Sequence, residues 1–145
     1  WNRPAETEAA FVELDGKKFF RTGDLAYYDE DGYFFMVDRV KRMINASGFK
    51  VWPSEVESMM YQHPSIHEVC IISSPHEKRG ETVKAVVVLT PEADGKTTAE
   101  DIITWCREQM AAYKVPSVVT FVDELPKSPT GKLMWRALQD EEWKR

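Results

Sequence analysis

Lys132 follows the run Pro126-Lys127-Ser128-Pro129-Thr130-Gly131, whose prolines and glycine make a backbone that is stiff yet closely approachable. The pattern after it predicts a helix from Leu133 to about Trp143, which sets the Lys132 ammonium at a helix entrance. A cation there opposes the helix dipole by about 0.3–1 kcal/mol. An anion reverses that sign, because the helix amides and the ammonium both attract it. The chemistry suggested is phosphate binding. The segment is not a P-loop, since GxxxxGKS/T would need Gly in place of Pro126 and Ser or Thr in place of Leu133.

Lys132 belongs to one of two cationic stretches. Residues 39–50 hold Arg39, Lys41, Arg42 and Lys50, residues 126–138 hold Lys127, Lys132 and Arg136, and neither contains an acidic residue. Seven of the 19 Lys and Arg are therefore concentrated in two segments of a chain whose net charge is −5. Cationic loops in an acidic protein suit phosphate, although by charge alone a solvated surface is the simpler account. Asp24 ends the turn Arg21-Thr22-Gly23-Asp24. A carboxylate there can accept two hydrogen bonds from a sugar diol, while a turn-shaping Asp after Gly is the commoner case.

The elements that must position these groups can be read in order. Pro4 to Phe11 is expected to be a short helix with Pro near its start. Asp15-Gly16 reads as a hairpin turn before a strand at 18–21, and 25–28 and 33–38 as two further strands. Ser47-Gly48 marks a turn inside the first cationic stretch. A helix follows, with Ser54 and Glu57 at capping-box spacing, Val56, Met59, Met60 and His63 on one face, and Pro64 ending it. Residues 66–73 and 83–89 read as strands. Thr97 and Glu100 have capping-box spacing before a second helix, whose apolar face is Ile102, Ile103, Cys106 and Met110. Residues 118–122 form another strand, then a loop and the last helix. From about residue 42 the order β, α, β, β, α, β, loop, α is an α+β sandwich, helices against a small sheet. No internal repeat is present.

Composition removes several function classes. At 145 residues, 43% apolar and 30% charged, the chain can bury a core without disulfide or metal staples. Its acidic balance argues against a general nucleic-acid or anionic-membrane partner. Cys70 and Cys106 sit in apolar patterns and read as buried thiols. His63, His67 and His76 have no metal-ligand spacing, so no metal site is expected. No stretch reaches the ~20 apolar residues of a membrane helix. The chain starts at Trp1 without a signal-peptide pattern, so we expect a cytoplasmic protein whose sequence begins inside a longer one.

Three ordered motifs carry a resemblance. Phe20-Arg21-Thr22-Gly23-Asp24 is the first. Asp31-Gly32-Tyr33, then Asp38-Arg39, then the run Ser47-Gly48-Phe49-Lys50-Val51-Trp52-Pro53-Ser54-Glu55-Val56-Glu57 make the second. Leu125-Pro126-Lys127-Ser128-Pro129-Thr130-Gly131-Lys132 is the third. Together they resemble the adenylate-forming superfamily of acyl-CoA synthetases, aryl-CoA ligases, firefly-type luciferases and peptide-synthetase adenylation domains, and the likeness covers essentially the whole chain. Trp1-Asn2-Arg3-Pro4 also looks like the segment that precedes the first motif in that family. The departure is Trp135, where the family's ending leads one to expect a basic residue before Arg136.

The resemblance implies a two-step reaction: a carboxylate attacks the α-phosphate of Mg-ATP to give an acyl-adenylate, and a thiol, usually of CoA, then displaces AMP. It implies that residues 1–40 are the last piece of a large N-terminal AMP-binding domain. Residues 41–145 would be a mobile C-terminal lid, a mixed sheet flanked by helices, that turns between the steps. Asp24 would hold the AMP ribose and Arg39 the ribose and phosphate. Lys41 would be the hinge. Lys132 would be the catalytic lysine of adenylation. Ser47, Gly48, Phe49 and Lys50 would line the pantetheine tunnel and meet CoA. ATP and Mg2+ would be held mainly by the chain's own N-terminal domain. The function implied is that of the C-terminal portion of a fatty-acid–CoA ligase, inactive alone. An aryl-CoA ligase, a carrier-protein adenylation domain or a non-catalytic α+β interaction module are the alternatives.

Overall fold

A computed structural model describes residues 1–144. The chain divides after Lys41 into two compact units. The first holds helix α1 (Pro4–Ala9) and four strands, β1 (Phe11–Leu14), β2 (Lys17–Phe20), β3 (Asp24–Tyr28) and β4 (Phe34–Arg39). These strands make two separate antiparallel hairpins. The first hairpin turns on Asp15 and Gly16, with φ of +51° and +70°. Two successive left-handed residues are what a tight two-residue turn between right-twisted strands requires. α1 stops before Phe11, which instead pairs with Phe20 across the hairpin, ring centroids 5.4 Å apart.

The second unit starts at Arg42. It contains β5 (Ile44–Ala46), β6 (Phe49–Val51), α2 (Pro53–Met60), β7 (Ile66–His76), β8 (Gly80–Leu89), α3 (Ala99–Gln109), β9 (Val118–Phe121) and α4 (Trp135–Glu142). The expected α+β architecture is present, with one refinement: the first strand is a hairpin of two. The sheet order is β6-β5-β8-β7, with β9 also pairing β8. β9 runs parallel to β8 and the other pairs are antiparallel, so the sheet is mixed.

The middle of β7, Val69 to Ile72, and the end of β8, Ala85 to Leu89, are apolar without alternation because the sheet is covered on both faces there. Val69, Ile71, Val83 and Ala85 join the main core with Val56 and Met60 of α2 and Ile102 of α3. The alternate residues Cys70, Ile72 and Val86 meet Leu125, Leu133, Trp135 and Leu138, so α4 covers the face opposite α2 and α3. Polar bonds fix α4 there: Gln139 Nε2 donates to the Ser73 carbonyl at 2.9 Å, and Lys84 Nζ pairs with Glu142 Oε2 at 2.5 Å.

Three helix starts differ from the sequence reading. α2 begins at Pro53 after the N-cap Trp52, so Ser54 lies inside the first turn rather than at the cap; a proline is suited to the first helical position because it lacks the amide that would go unpaired there. α3 has its capping box one residue later than Thr97 and Glu100: Thr98 Oγ1 accepts from the Asp101 amide at 3.2 Å, and the Thr98 amide donates to Asp101 Oδ2 at 2.8 Å. Thr97 is drawn off instead to Ser65, its hydroxyl 3.1 Å from Ser65 Oγ. α4 begins at Trp135 rather than Leu133, since Leu133 is held extended by a bridge to Lys127.

Candidate functional site

In the first unit β3 and β4 place Asp24 directly opposite Arg39. Gly23, at φ +77°, turns the chain into β3, and its carbonyl accepts from the Val40 amide at 2.9 Å. Arg39 Nε lies 3.0 Å from Asp24 Oδ1, with the arginine side chain 54% exposed. The pair uses only Nε, so the two terminal nitrogens of the fork remain open to a further acceptor among the described residues. The two residues expected to share one ligand are thus neighbours in space.

In the second unit the Lys132 loop is built from short bonds. The Gly131 amide donates to the Ser128 carbonyl at 2.8 Å, and the Ser128 amide donates to the Lys132 carbonyl at 2.8 Å. The Lys132 amide donates to Ser128 Oγ at 3.1 Å, and Gly131 takes φ +78°. The Met134 amide closes the loop on the Pro126 carbonyl at 2.8 Å. Lys132 is therefore held at the tip of a tight turn, two residues before the Met134 cap of α4. The helix-entrance placement expected from sequence is corrected: the Lys127–Leu133 bridge occupies the residues that a longer helix would need.

The Ser47–Lys50 segment is the β5–β6 hairpin. Ser47 and Gly48 both adopt left-handed φ, +56° and +88°, and the Gly48 amide donates to Asn45 Oδ1 at 3.0 Å. Phe49 leaves the turn and stacks on Tyr113, centroids 4.8 Å apart with 19° between the rings. A cleft of about 270 Å3 lies beside them, lined by Ala46, Ser47, Phe49, Arg79, Ala112 and Tyr113. Arg79 and Tyr113 were not singled out in the sequence. They stand 30 and 64 residues from Phe49, and no local pattern links them to it.

The seven cations of the two stretches separate into two sets. Arg39 pairs with Asp24, Arg42 with Glu57 and Lys127 with Glu68, and Arg136 stacks on Trp135 at 5.3 Å. Lys41, Lys50 and Lys132 are exposed and carry no ion pair among the described residues. The three bare ammonium groups are those the resemblance assigns to hinge, CoA and phosphate.

The buried thiols have no such availability. Burial pushes Cys70 up to about 12, with the neighbouring Glu57 adding to it, and burial pushes Cys106 up to about 11. Neither is a nucleophile at neutral pH. Among the described residues no three His, Cys, Asp or Glu side chains gather as a metal site would need, and no helix is long and apolar enough to cross a membrane.

The second unit is thus a small α+β body with Lys132 exposed on a glycine turn, and it follows in sequence a hairpin that pairs Asp24 with Arg39. The chain belongs to the family of AMP-binding enzyme C-terminal domains, whose model matches residues 55–132. It is 44% identical over 141 residues to the long-chain-fatty-acid–CoA ligase of Escherichia coli O6:H1, covering 97% of this chain and 24% of that protein. It is 41% identical over 128 residues to 4-coumarate–CoA ligase-like 1 of Arabidopsis thaliana, covering 88% of this chain and 23% of that one. The crystal structure of ATP-bound MatB from Rhodopseudomonas palustris superposes with a TM-score of 0.86 at 33% identity, over 97% of this chain and 27% of that one. The chain thus spans about a quarter of the length of the curated relatives it matches.

Proposed function

We propose that this chain is the C-terminal part of an AMP-forming acid–thiol ligase, with residues 1–40 ending the nucleotide-binding body and residues 41–145 forming its mobile lid. The observation that carries the reading is the sorting of the cations, which leaves Lys41, Lys50 and Lys132 bare while their neighbours are engaged. The division of the chain between Lys41 and Arg42 supports a pivot at Lys41.

In the first step a carboxylate oxygen attacks the α-phosphorus of ATP and pyrophosphate departs with the electrons of the broken P–O bond. Asp24 accepts hydrogen bonds from the ribose hydroxyls. The open terminal nitrogens of Arg39 bind the ribose–phosphate side. Lys132, on its turn, donates to the oxygens where charge grows. A fixed ammonium in a water-excluded site stabilises that charge far more than one in water, and losing such a donor costs about 3–4 kcal/mol. Mg2+ would travel with the ATP phosphates and be held by residues beyond this chain.

In the second step the thiol sulfur of CoA attacks the acyl carbon and AMP leaves. The Ser47-Gly48 turn and Phe49 border the passage of the pantetheine arm, with Lys50 beside them as a phosphate partner. The lid turns about Lys41 so that Lys132 serves the first step and the hairpin the second, which also keeps water from the adenylate.

For the acid, a long-chain fatty acid is favoured by the identity to the E. coli ligase; the 41% identity to the Arabidopsis protein supports an aryl acid as the second reading. The test is acid-dependent ATP–pyrophosphate exchange by the complete ligase that carries this chain, with a fatty-acid series and hydroxycinnamic acids in parallel. Exchange with fatty acids supports the first reading, exchange with hydroxycinnamic acids alone the second, and exchange with neither overturns both. The 145-residue chain by itself is expected to show none.

A further inference from the structure

Arg42 follows Lys41 directly, and its side chain is tied into three elements of the second unit. Its two terminal nitrogens meet the two oxygens of Glu57 on α2, at 3.3 and 2.5 Å. One of them also lies 3.3 Å from the Ile71 carbonyl on β7, while Glu57 Oε1 accepts from the Ile71 amide at 2.9 Å. Both side chains are largely buried, 13% and 14% exposed. The guanidinium carbon then sits 5.6 Å from the centre of the Trp135 ring, the first residue of α4.

Trp135 opens α4 with its ring between two guanidinium groups, those of Arg42 and Arg136. A basic side chain there would face the Arg42 guanidinium and Arg136 and repel both; an indole attracts them through its ring. Trp135 also packs in the second core cluster beside Leu133 and Leu138. Only Leu133 and Met134 separate it from Lys132, and both are fixed, one by the bridge to Lys127 and the other by the Pro126 carbonyl. A continuous run of packed and hydrogen-bonded groups therefore leads from the residue after Lys41 to the Lys132 turn.

We propose that Arg42 and Trp135 are positioning residues that make the Lys132 loop turn as one piece with the pivot at Lys41. This rests on the lid reading above. The Glu57 and Ile71 bonds anchor the arginine in the body. The Trp135 contact extends that anchor to the phosphate-facing loop alone, because the β5–β6 hairpin takes no part in it.

The experiment measures both half-reactions in the complete ligase: single-turnover adenylation, and thioester formation from supplied acyl-adenylate. Trp135→Leu is expected to slow adenylation about fivefold with KM for ATP within about twofold, and to leave thioester formation within about twofold, as loss of one cation–ring contact implies. Trp135→Phe, which keeps a ring face, recovers most of the adenylation rate. Arg42→Lys combined with Trp135→Leu is no slower in adenylation than the slower of the two single variants, since both break one link. Equal losses in both half-reactions that follow the melting temperature, or losses that add, overturn the proposal by showing a structural role only. If Trp135→Leu does not fold, Arg42→Lys alone decides by the same split. Lys132→Ala separates the two levels. Should it leave adenylation untouched, the lid reading itself fails. Should it abolish adenylation while Trp135→Leu changes neither half-reaction, only this inference fails.

Discussion

Arg39 meets Asp24 across the β3–β4 hairpin at 3.0 Å and keeps 54% of its side chain in solvent. Arg42, three residues later, is 13% exposed and engages Glu57 with two nitrogens and the Ile71 carbonyl with one of them. The residue type is the same and the two stand in one short segment. Surroundings divide them into a group with free donors on an open hairpin and a group sunk into its own domain. An exposed ion pair contributes little to stability and can be exchanged for a ligand. A buried one is hard to give up, because removing either partner strands the other charge in a poor solvent.

Stability measurements on the 145-residue chain can break this contrast. Glu57→Ala is expected to have the largest effect, about 3 kcal/mol, because it removes the carboxylate that faces the buried Arg42 guanidinium and leaves the Ile71 amide without its acceptor. In thermal unfolding of the second unit that is a fall of about 10 °C or more. A fall under about 3 °C would make the Arg42 pair no different from the Arg39 pair. Gly48→Leu comes next. Its φ of +88° strains any side chain by about 1–2 kcal/mol, although a Cβ there meets nothing within 4 Å. In the complete ligase the same variant should obstruct thioester formation more than adenylation. Asp24→Ala is expected to cost about 0.2–1 kcal/mol and less in high salt, while raising KM for ATP. A stability loss as large as that of Glu57→Ala would mean that Arg39 is structural as well.

The smallest effect concerns pH. His63 is buried, stands edge-on to Trp105 at 5.0 Å, and accepts from the Ser65 amide through Nδ1 at 3.1 Å. Burial lowers its pKa below 6.5, outweighing Asp101, which raises it. The unfolded chain therefore takes up the proton first as pH falls. The contribution of neutral His63 is complete above its unfolded pKa and declines as pH drops from there through the folded value. The melting temperature should fall between pH ~7 and ~5.5, and more steeply in the parent chain than in His63→Phe. Equal slopes would show that His63 is not the group responsible.

Much of the fold could be read from local pattern. Residues 66–73 and 83–89 were legible as strands, now the larger parts of β7 and β8, and Ile102, Ile103 and Cys106 marked the buried side of α3. Ser47-Gly48 announced its turn because two left-handed residues are rare elsewhere. The failures have one cause, which is competition from distant groups. Glu57 looked like a cap for Ser54 and was taken by Arg42 and Ile71. Leu133 looked helical and was held extended by Lys127. Arg42 and Lys127 were counted with the phosphate-seeking cations, yet Glu57 and Glu68, far along the chain, hold them. Arg79 and Tyr113 reach the Phe49 cleft only through the sheet order, which no short spacing encodes.

The contrast between engaged and bare cations finally turns on Lys132. In the complete ligase, Lys132→Ala should lower the adenylation half-reaction by about two to three decades while leaving thioester formation from supplied acyl-adenylate within about threefold. The 145-residue chain carrying the same change should melt within about 2 °C of the parent, since no ion pair is lost. An unchanged adenylation rate, or an equal loss in both half-reactions, would contradict the account.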